Sequence, residues 1–377
     1  MTIAGNKLDG FCGARLRIAR TFKGCTQNRL AEEVAVRHQF IAALENNRKE
    51  PSKSLARALA DALGFQTDFF SGPPLVEFTD AECSFRSWRT TPVTARAKAR
   101  AFGTLLRQFL DYARERLTLP AKNLPRPESG ASSATEAVER AAELCRMRWG
   151  LGLDLPIKNM TRVMESLAGV PVARFEGIAE RIDAFSWSGD PPMIVINEKS
   201  PSRLRFDLAH ECGHLVLHQG RITGTAETEA EANHFAGALL LPRSGFAREF
   251  PRGDSATNLE LLFMLKGRWL TSVSAMIRRA SELKLINGIQ YRRLYKSLSL
   301  RGWLRHEPQE FDREAPETIP LVLEGLREHH GLGVADVAGA LSWKVETLAT
   351  IAGVRIDAPE TTERANVFPI FEKRRAL

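Results

Sequence analysis

Phe206-Asp207-Leu208-Ala209-His210-Glu211-Cys212-Gly213-His214-Leu215-Val216-Leu217-His218 is the stretch on which the reading of this chain turns. It continues a helical pattern that starts at Pro201 and sets His210 and His214 four residues apart. On an α-helix that spacing stacks two imidazoles on one face, close enough to share a tetrahedral ion such as zinc. Glu211 follows the first histidine directly, where a carboxylate can hydrogen-bond the water such an ion polarises and take its proton. A pattern this short also arises by chance, and two packed helices with structural histidines are the other reading. A glutamate held between two helical histidines serves no packing need, however, and the helix directly follows a β-rich stretch. There, residues 170–175, 182–187 and 193–197 are short β-branched or aromatic runs parted by Gly, Asp and Pro.

A third ligand is expected from the next helix, about residues 225–241, which Pro242 ends. Glu229 and Asn233 are i and i+4 and share a face, so Glu229 can ligate while Asn233 orients a ligand histidine from behind. Glu231 lies about 200° around the helix from Glu229, so the two cannot both face one ion. His218, one turn beyond His214, is the other rival, or else a helix-end residue or a donor to a ligand. The metzincin pattern wants a Gly and a later His at offsets where this chain has neither. Glu229, Glu231 and His218 therefore all stay open as the third ligand. Cys212 lies about 200° from His210 and reads as core.

Outward from this stretch, the charge is uneven. The chain carries a net +8. Residues 1–60 hold eleven Lys/Arg against five Asp/Glu, so +6 falls there and points to a polyanion partner. Within that segment Thr26 can cap a short helix beginning Gln27-Asn28-Arg29-Leu30-Ala31. A tight turn at Ala35-Val36 leads to a second helix, residues 37–46, packed on the first through Leu30, Ala31, Val34, Ile41 and Leu44. Its N-terminal end exposes Arg37, His38 and Gln39, types that reach base edges in a major groove. Asn46 and Lys49 follow within reach of phosphates, and Gln27 completes the candidate contact set.

Residues 8–70 resemble the xenobiotic-response-element family of lambda-repressor-like helical domains, through Gln27–Ala31, Gln39-Phe40-Ile41-Ala42-Ala43-Leu44-Glu45-Asn46 and Arg48-Lys49-Glu50-Pro51-Ser52. That family usually sets Gly at the turn and Ser at the cap of the reading helix, where this chain has Ala35 and Arg37. Residues 150–250 look like the ImmA/IrrE metallopeptidases, through Ile194-Val195-Ile196-Asn197, Arg205-Phe206-Asp207-Leu208-Ala209-His210-Glu211, Glu229–Ala236 and Leu239-Leu240-Leu241-Pro242. This second resemblance implies a gluzincin-like fold with zinc on His210, His214 and Glu229. It also implies proteolysis of a transcriptional regulator in a stress, phage or mobile-element response.

The rest bounds the picture. With 377 residues, 44% hydrophobic and 26% charged, two or three ordinary globular domains are expected. No apolar run approaches the roughly 18 residues that span a bilayer, and the start lacks a secretory core, so a cytoplasmic protein with no membrane partner is expected. Five scattered cysteines without a C-x-x-C pair read as reduced thiols. The expected fold class is mainly α with a small β-sheet. The expected order is a helix-turn-helix domain (1–75), a helical linker region (76–135), a zinc metallopeptidase domain (136–250) and a helical C-terminal domain (251–377). Residues 120–135, rich in Pro, Ser, Gly and Ala, read as a linker or exposed loop. Tyr291 and Tyr295 are candidate oxyanion donors. The functional expectation is a DNA-binding regulator, homodimeric on operator duplex, with a built-in zinc peptidase that cleaves a regulator protein or itself. The alternative is a non-proteolytic repressor or antitoxin with a structural or sensory zinc site.

Overall fold

The computed structural model describes residue 8 and residues 10–79, 83–85, 92–126, 133–175, 184–221 and 223–354. The first helices are α1 (Gly13–Lys23), α2 (Gln27–Glu33), α3 (His38–Glu45) and α4 (Lys53–Leu63). Strand β1 (Cys83–Phe85) and the long α5 (Val93–Arg114) follow. Next come α6 (Ala134–Arg148), the single turn α7 (Met160–Arg162) running into a π turn, and strands β2 (Val172–Arg174), β3 (Ala184–Trp187) and β4 (Met193–Ile196). The two helices of the quoted motifs are α8 (Pro201–Leu217) and α9 (Ala226–Leu240). The chain then continues through α10 (Arg243–Glu249), α11 (Leu259–Trp269), α12 (Val273–Glu282), α13 (Gly288–Leu300), α14 (Thr318–His330), α15 (Val334–Ala340) and α16 (Val345–Ala352). The fold is mainly helical with one small mixed sheet, as expected.

That sheet has the order β1-β3-β4-β2, with β2 parallel to β4 and the other pairs antiparallel. Both β3 and β4 are buried along their whole length, the mark of a sheet covered on both faces. Alternate residues point to opposite faces, and they enter two different cores. Ala173, Phe185, Trp187, Met193 and Val195 join one core with α1–α5 and α14–α16. Val172, Ala184, Ile194 and Ile196 join the other, with α6–α13. The sheet is therefore the wall between a helix-turn-helix core and a metal-site core.

Residues 76–135, expected as a helical linker region, carry β1 and α5, and both are built into the body. Phe102 of α5 stacks on Phe175 at 4.1 Å, and Phe22 of α1 lies 6.2 Å from the same ring. Of residues 120–135, the part up to 126 is anchored. Asn123 bonds the backbone of Ala168 and Leu167, and its own carbonyl accepts from the Trp149 indole. Residues 127–132 lie outside the described residues.

The C-terminal helices return to the N-terminal ones. Phe65 bridges to Trp343, Gln66 N–H donates to Ser342 O, and Lys344 N–H donates to Gly64 O. Between α13 and α14 runs an acidic strap that fixes helix starts. Glu307 accepts from the N–H groups of Val273 and Ser274 at the head of α12. Glu310 accepts from Ser202 N–H and Oγ at the head of α8. Glu314 accepts from Met160 and Thr161 N–H at the head of α7 and pairs with the buried Arg205. Carboxylates suit these positions because helix N-termini present unpaired N–H groups and a positive dipole end. The fully buried ammonium of Lys266 sits between Glu307 and Glu310 at 3.2 and 3.0 Å. The strap thus anchors the N-terminus of the motif helix α8.

Candidate metal centre and nucleic-acid interface

Two local features bring α8 against α9. At Gly213 an added Cβ would lie 3.1 Å from the Phe235 ring and 3.2 Å from Ala232 Cα, so glycine permits the close approach. Thr225 and Thr228 form a reciprocal capping box that starts α9 at Ala226, three residues before Glu229 enters the interface. As a result His210 Nε2 and His214 Nε2 lie 3.1 Å apart, with Glu229 Oε2 3.4 Å from the first and Oε1 3.2 Å from the second. Among the described residues, His210, His214 and Glu229 are the group of potential metal donors that converges.

Glu231 and His218, the rivals for the third place, pair with each other at 2.9 Å instead. Asn233 stands behind His210, its Oδ1 3.2 Å from Nδ1, while its Nδ2 donates to Glu229 O at 2.7 Å. That donation fixes which amide atom faces the imidazole. Asn233 Oδ1 accepts, His210 Nδ1 carries the proton, and the Nε2 lone pair is left facing the cluster. Bare imidazole nitrogen and carboxylate oxygen crowded together repel unless a cation lies among them. Glu229 Oε1 and Glu211 Oε1 are also buried without a hydrogen-bond partner. The donor set of two imidazoles and a carboxylate fits zinc.

Glu211 is fully buried, and burial pushes its carboxyl up to about 7, against the pull of His214 and of a hydrogen bond from Ser186. Ser186 Oγ donates to Glu211 Oε2 at 2.6 Å. Sequence reading did not select Ser186. Its signal was a hydroxyl at the position of β3 that shares parity with Ala184, in a strand otherwise apolar. Cys212 is buried in the metal-side core, as its angle on the helix implied. Tyr295 donates to Ser274 O at 3.2 Å and, with Asn233, Asp207 and Arg203, lines a cavity of about 220 Å³. Tyr291 packs on it at 4.6 Å.

On the other side of the sheet, Thr26 caps α2 by accepting from Arg29 N–H. Ala35 takes the left-handed turn at φ 55°, where a glycine was the usual residue, and Arg37 starts α3 without a side-chain cap. The left-handed backbone costs a non-glycine residue roughly 1 kcal/mol. Arg37, His38, Gln39, Asn46 and Lys49 are exposed. Lys49 Nζ lies 5.1 Å from the Phe40 ring centre, and Asn46 Nδ2 donates to Ala42 O. Gln27 is engaged otherwise: its Nε2 donates to the buried Glu45 at 2.6 Å, a carboxylate also held by Arg20.

Fold and site together define a helix-turn-helix chain with a His-Glu-x-x-His helix of the metallopeptidase type. Comparison with known families agrees. Residues 166–281 match the IrrE N-terminal-like domain, and residues 16–70 match a helix-turn-helix family. The chain therefore carries an N-terminal helix-turn-helix DNA-binding domain and an IrrE N-terminal-like domain of the peptidase M78 type. It is 26% identical over 314 residues to a propionyl-CoA carboxylase regulator of Cereibacter sphaeroides, covering 73% of this chain. The chain spans 65% of that relative's length. No helix of the described residues is long and apolar enough to cross a membrane.

Proposed function

We propose that this chain is a DNA-binding transcriptional regulator with a built-in zinc metallopeptidase that cleaves a regulator protein. The observation that carries this reading is the convergence of His210, His214 and Glu229 beside Glu211. Zinc bound there supplies a Lewis acid that polarises a scissile carbonyl and lowers the pKa of water. Glu211 is the general base, taking a proton on Oε1 and passing it to the leaving amine. Asn233 holds the His210 ring, and Ser186 holds the Glu211 carboxylate in one rotamer. Arg37, His38 and Gln39 read base edges while Asn46 and Lys49 meet phosphates, as a dimer on a two-fold-related site in the cytoplasm. Gln27 serves the same interface indirectly, by fixing Glu45 and the packing of α2 on α3. Anchoring of residues 120–126 favours cleavage in trans over cleavage of the chain's own 120–135 segment.

A second reading is a non-proteolytic regulator whose zinc site is structural or sensory. Two observations favour it: the Ser186 hydroxyl engages the general base, and the Cereibacter sphaeroides relative is named a propionyl-CoA carboxylase regulator. Glu211→Gln separates the readings. Under the first, the variant keeps zinc and the substrate regulator accumulates uncleaved in the native host. If the proteomes of wild type and variant match under stress and phage challenge, the second reading replaces the first.

A further inference from the structure

His214 is held from behind by a chain of groups that the metal-ligand motif does not include. His214 Nδ1 lies 2.9 Å from His218 Nδ1, and His218 Nε2 lies 2.9 Å from Glu231 Oε2. His214 and His218 are both buried, while the Glu231 side chain is 23% exposed. The chain of contacts therefore runs from the cluster outward to solvent. Its residues come from two elements: His218 is the residue that ends α8, and Glu231 lies two positions beyond Glu229 on α9. Glu231 points away from Glu229, as the rotation between them requires.

The partners fix the protons. An ionised carboxylate only accepts, so His218 Nε2 must donate to Glu231. A neutral imidazole with its proton on Nε2 has a bare Nδ1, which must accept from the Nδ1–H of His214. His214 is left with a bare Nε2, aimed at His210 and Glu229. The reverse arrangement would put a proton on the face that three donor atoms share. Asn233 imposes the same tautomer on His210 by a shorter route. Each histidine of the pair thus has its own backing group, one an amide and the other an imidazole–carboxylate dyad.

We propose that His218 and Glu231 are positioning residues for the metal centre, which lock His214 in the Nδ1–H tautomer and orient its ring. The proposal rests on the metal-centre reading above but not on proteolysis. Backing groups of this kind typically contribute about 10- to 100-fold in metal affinity. They raise the basicity of the ligand nitrogen and remove the competing tautomer. The full chain is tested with zinc alone, by competition against a chromophoric chelator, and by nitrogen-15 NMR of the His214 ring. Glu231→Ala is expected to weaken zinc binding about 10-fold or more and to turn the metal-free His214 signal into a mixture of tautomers. Glu231→Gln keeps an acceptor oxygen for His218 and is expected to restore most of both. Glu227→Ala, an exposed acid one turn earlier on α9, is expected to change neither. Equal zinc affinity in Glu231→Ala and wild type, with one tautomer in both, would overturn the proposal. Zinc loss in Glu227→Ala equal to that in Glu231→Ala would overturn it too, by showing a mere charge or stability effect. A wild type that binds no zinc would remove the metal centre itself, whereas the tautomer measurement reports on the dyad without metal.

Discussion

The two faces of the sheet carry different kinds of order. On the DNA side, the buried charged groups are Arg15 and Glu45, and the candidate contacts Arg37, His38, Gln39 and Lys49 stand on the surface. On the metal side, polar groups lie inside: His210, Glu211, His214, Lys266, Arg205 and Arg279 are all essentially inaccessible. A reader of DNA needs exposed side chains on a rigid frame, whereas a metal site needs donors stripped of water and held by other polar groups. The metal side should therefore respond sharply to single polar substitutions, and the DNA side to loss of packing.

The largest expected effect is the removal of the donors. The purified chain is expected to hold about one zinc, and His210→Ala combined with His214→Ala to hold none, by elemental analysis. Full retention of zinc in the double variant would end the metal-centre reading and with it the contrast between the faces. Operator binding by that variant should persist if the DNA side folds on its own apolar core.

Whether the wall joins the two sides is tested at Trp187, which packs on Phe78 at 4.2 Å and under the Arg107 guanidinium. Truncating a buried aromatic to alanine costs about 3–5 kcal/mol. Because β3 feeds both cores, Trp187→Ala is expected to lower the urea midpoints of zinc release and of DNA binding together. Two separated midpoints would show that the halves unfold independently.

Much of this was legible in the sequence, for local reasons. Helical spacing alone put His210 over His214 and Glu229 beside Asn233. The motif's demand for a left-handed residue located the turn at Ala35, although the residue there is not glycine. What could not be read is non-local. Strand β1 has three residues and pairs with β3 about a hundred positions on, so no alternation marks it. Nothing local to Trp343, which lies between α15 and α16, shows that Phe65 is its neighbour. The strap carboxylates Glu307, Glu310 and Glu314 look like a solvated acidic stretch, and only the helix starts they meet reveal their use. The His218–Glu231 pairing needed the placement of α9 against the end of α8.

A smaller effect, confined to the metal side, comes from a buried ion cluster. Glu139 pairs with Arg279 and with His234 at 2.8 Å. Burial works to raise its carboxyl, but the hydrogen bonds from His234 and Arg279 win and hold it at about 2, below the ordinary 4.5. A depressed carboxylate contributes stability that is present above the unfolded pKa and is lost as pH falls through the folded one. The lead of wild type over Glu139→Gln in urea midpoint is therefore expected to be constant above about pH 5 and to shrink from there toward pH 2. A lead that grows on acidification would mean that Glu139 is not ionised in the folded chain.

The smallest effects belong to the exposed DNA face, and they differ in kind rather than size. Lys49 is a flexible cation resting against the Phe40 ring, with nothing to fix it toward one base. Its removal should weaken binding to every duplex alike and reduce the slope of log K against log salt by about 0.9, the loss of one phosphate contact. Gln39 sits near the N-terminal end of α3, and its carboxamide can pair bidentately with adenine. Gln39→Ala should leave the salt slope unchanged and cost about 1–3 kcal/mol of discrimination at one base pair. Gln27→Ala should do neither directly. It frees Glu45 from a hydrogen bond inside the α2–α3 packing, so its effect should appear first in stability and only then in affinity for all sequences. Titrations of the three variants against an operator and a scrambled duplex at several salt concentrations separate these signatures. A Gln27→Ala variant of wild-type stability that loses discrimination at a base would move Gln27 from the packing onto the DNA, and a flat salt slope for Lys49→Ala relative to wild type would take Lys49 off it.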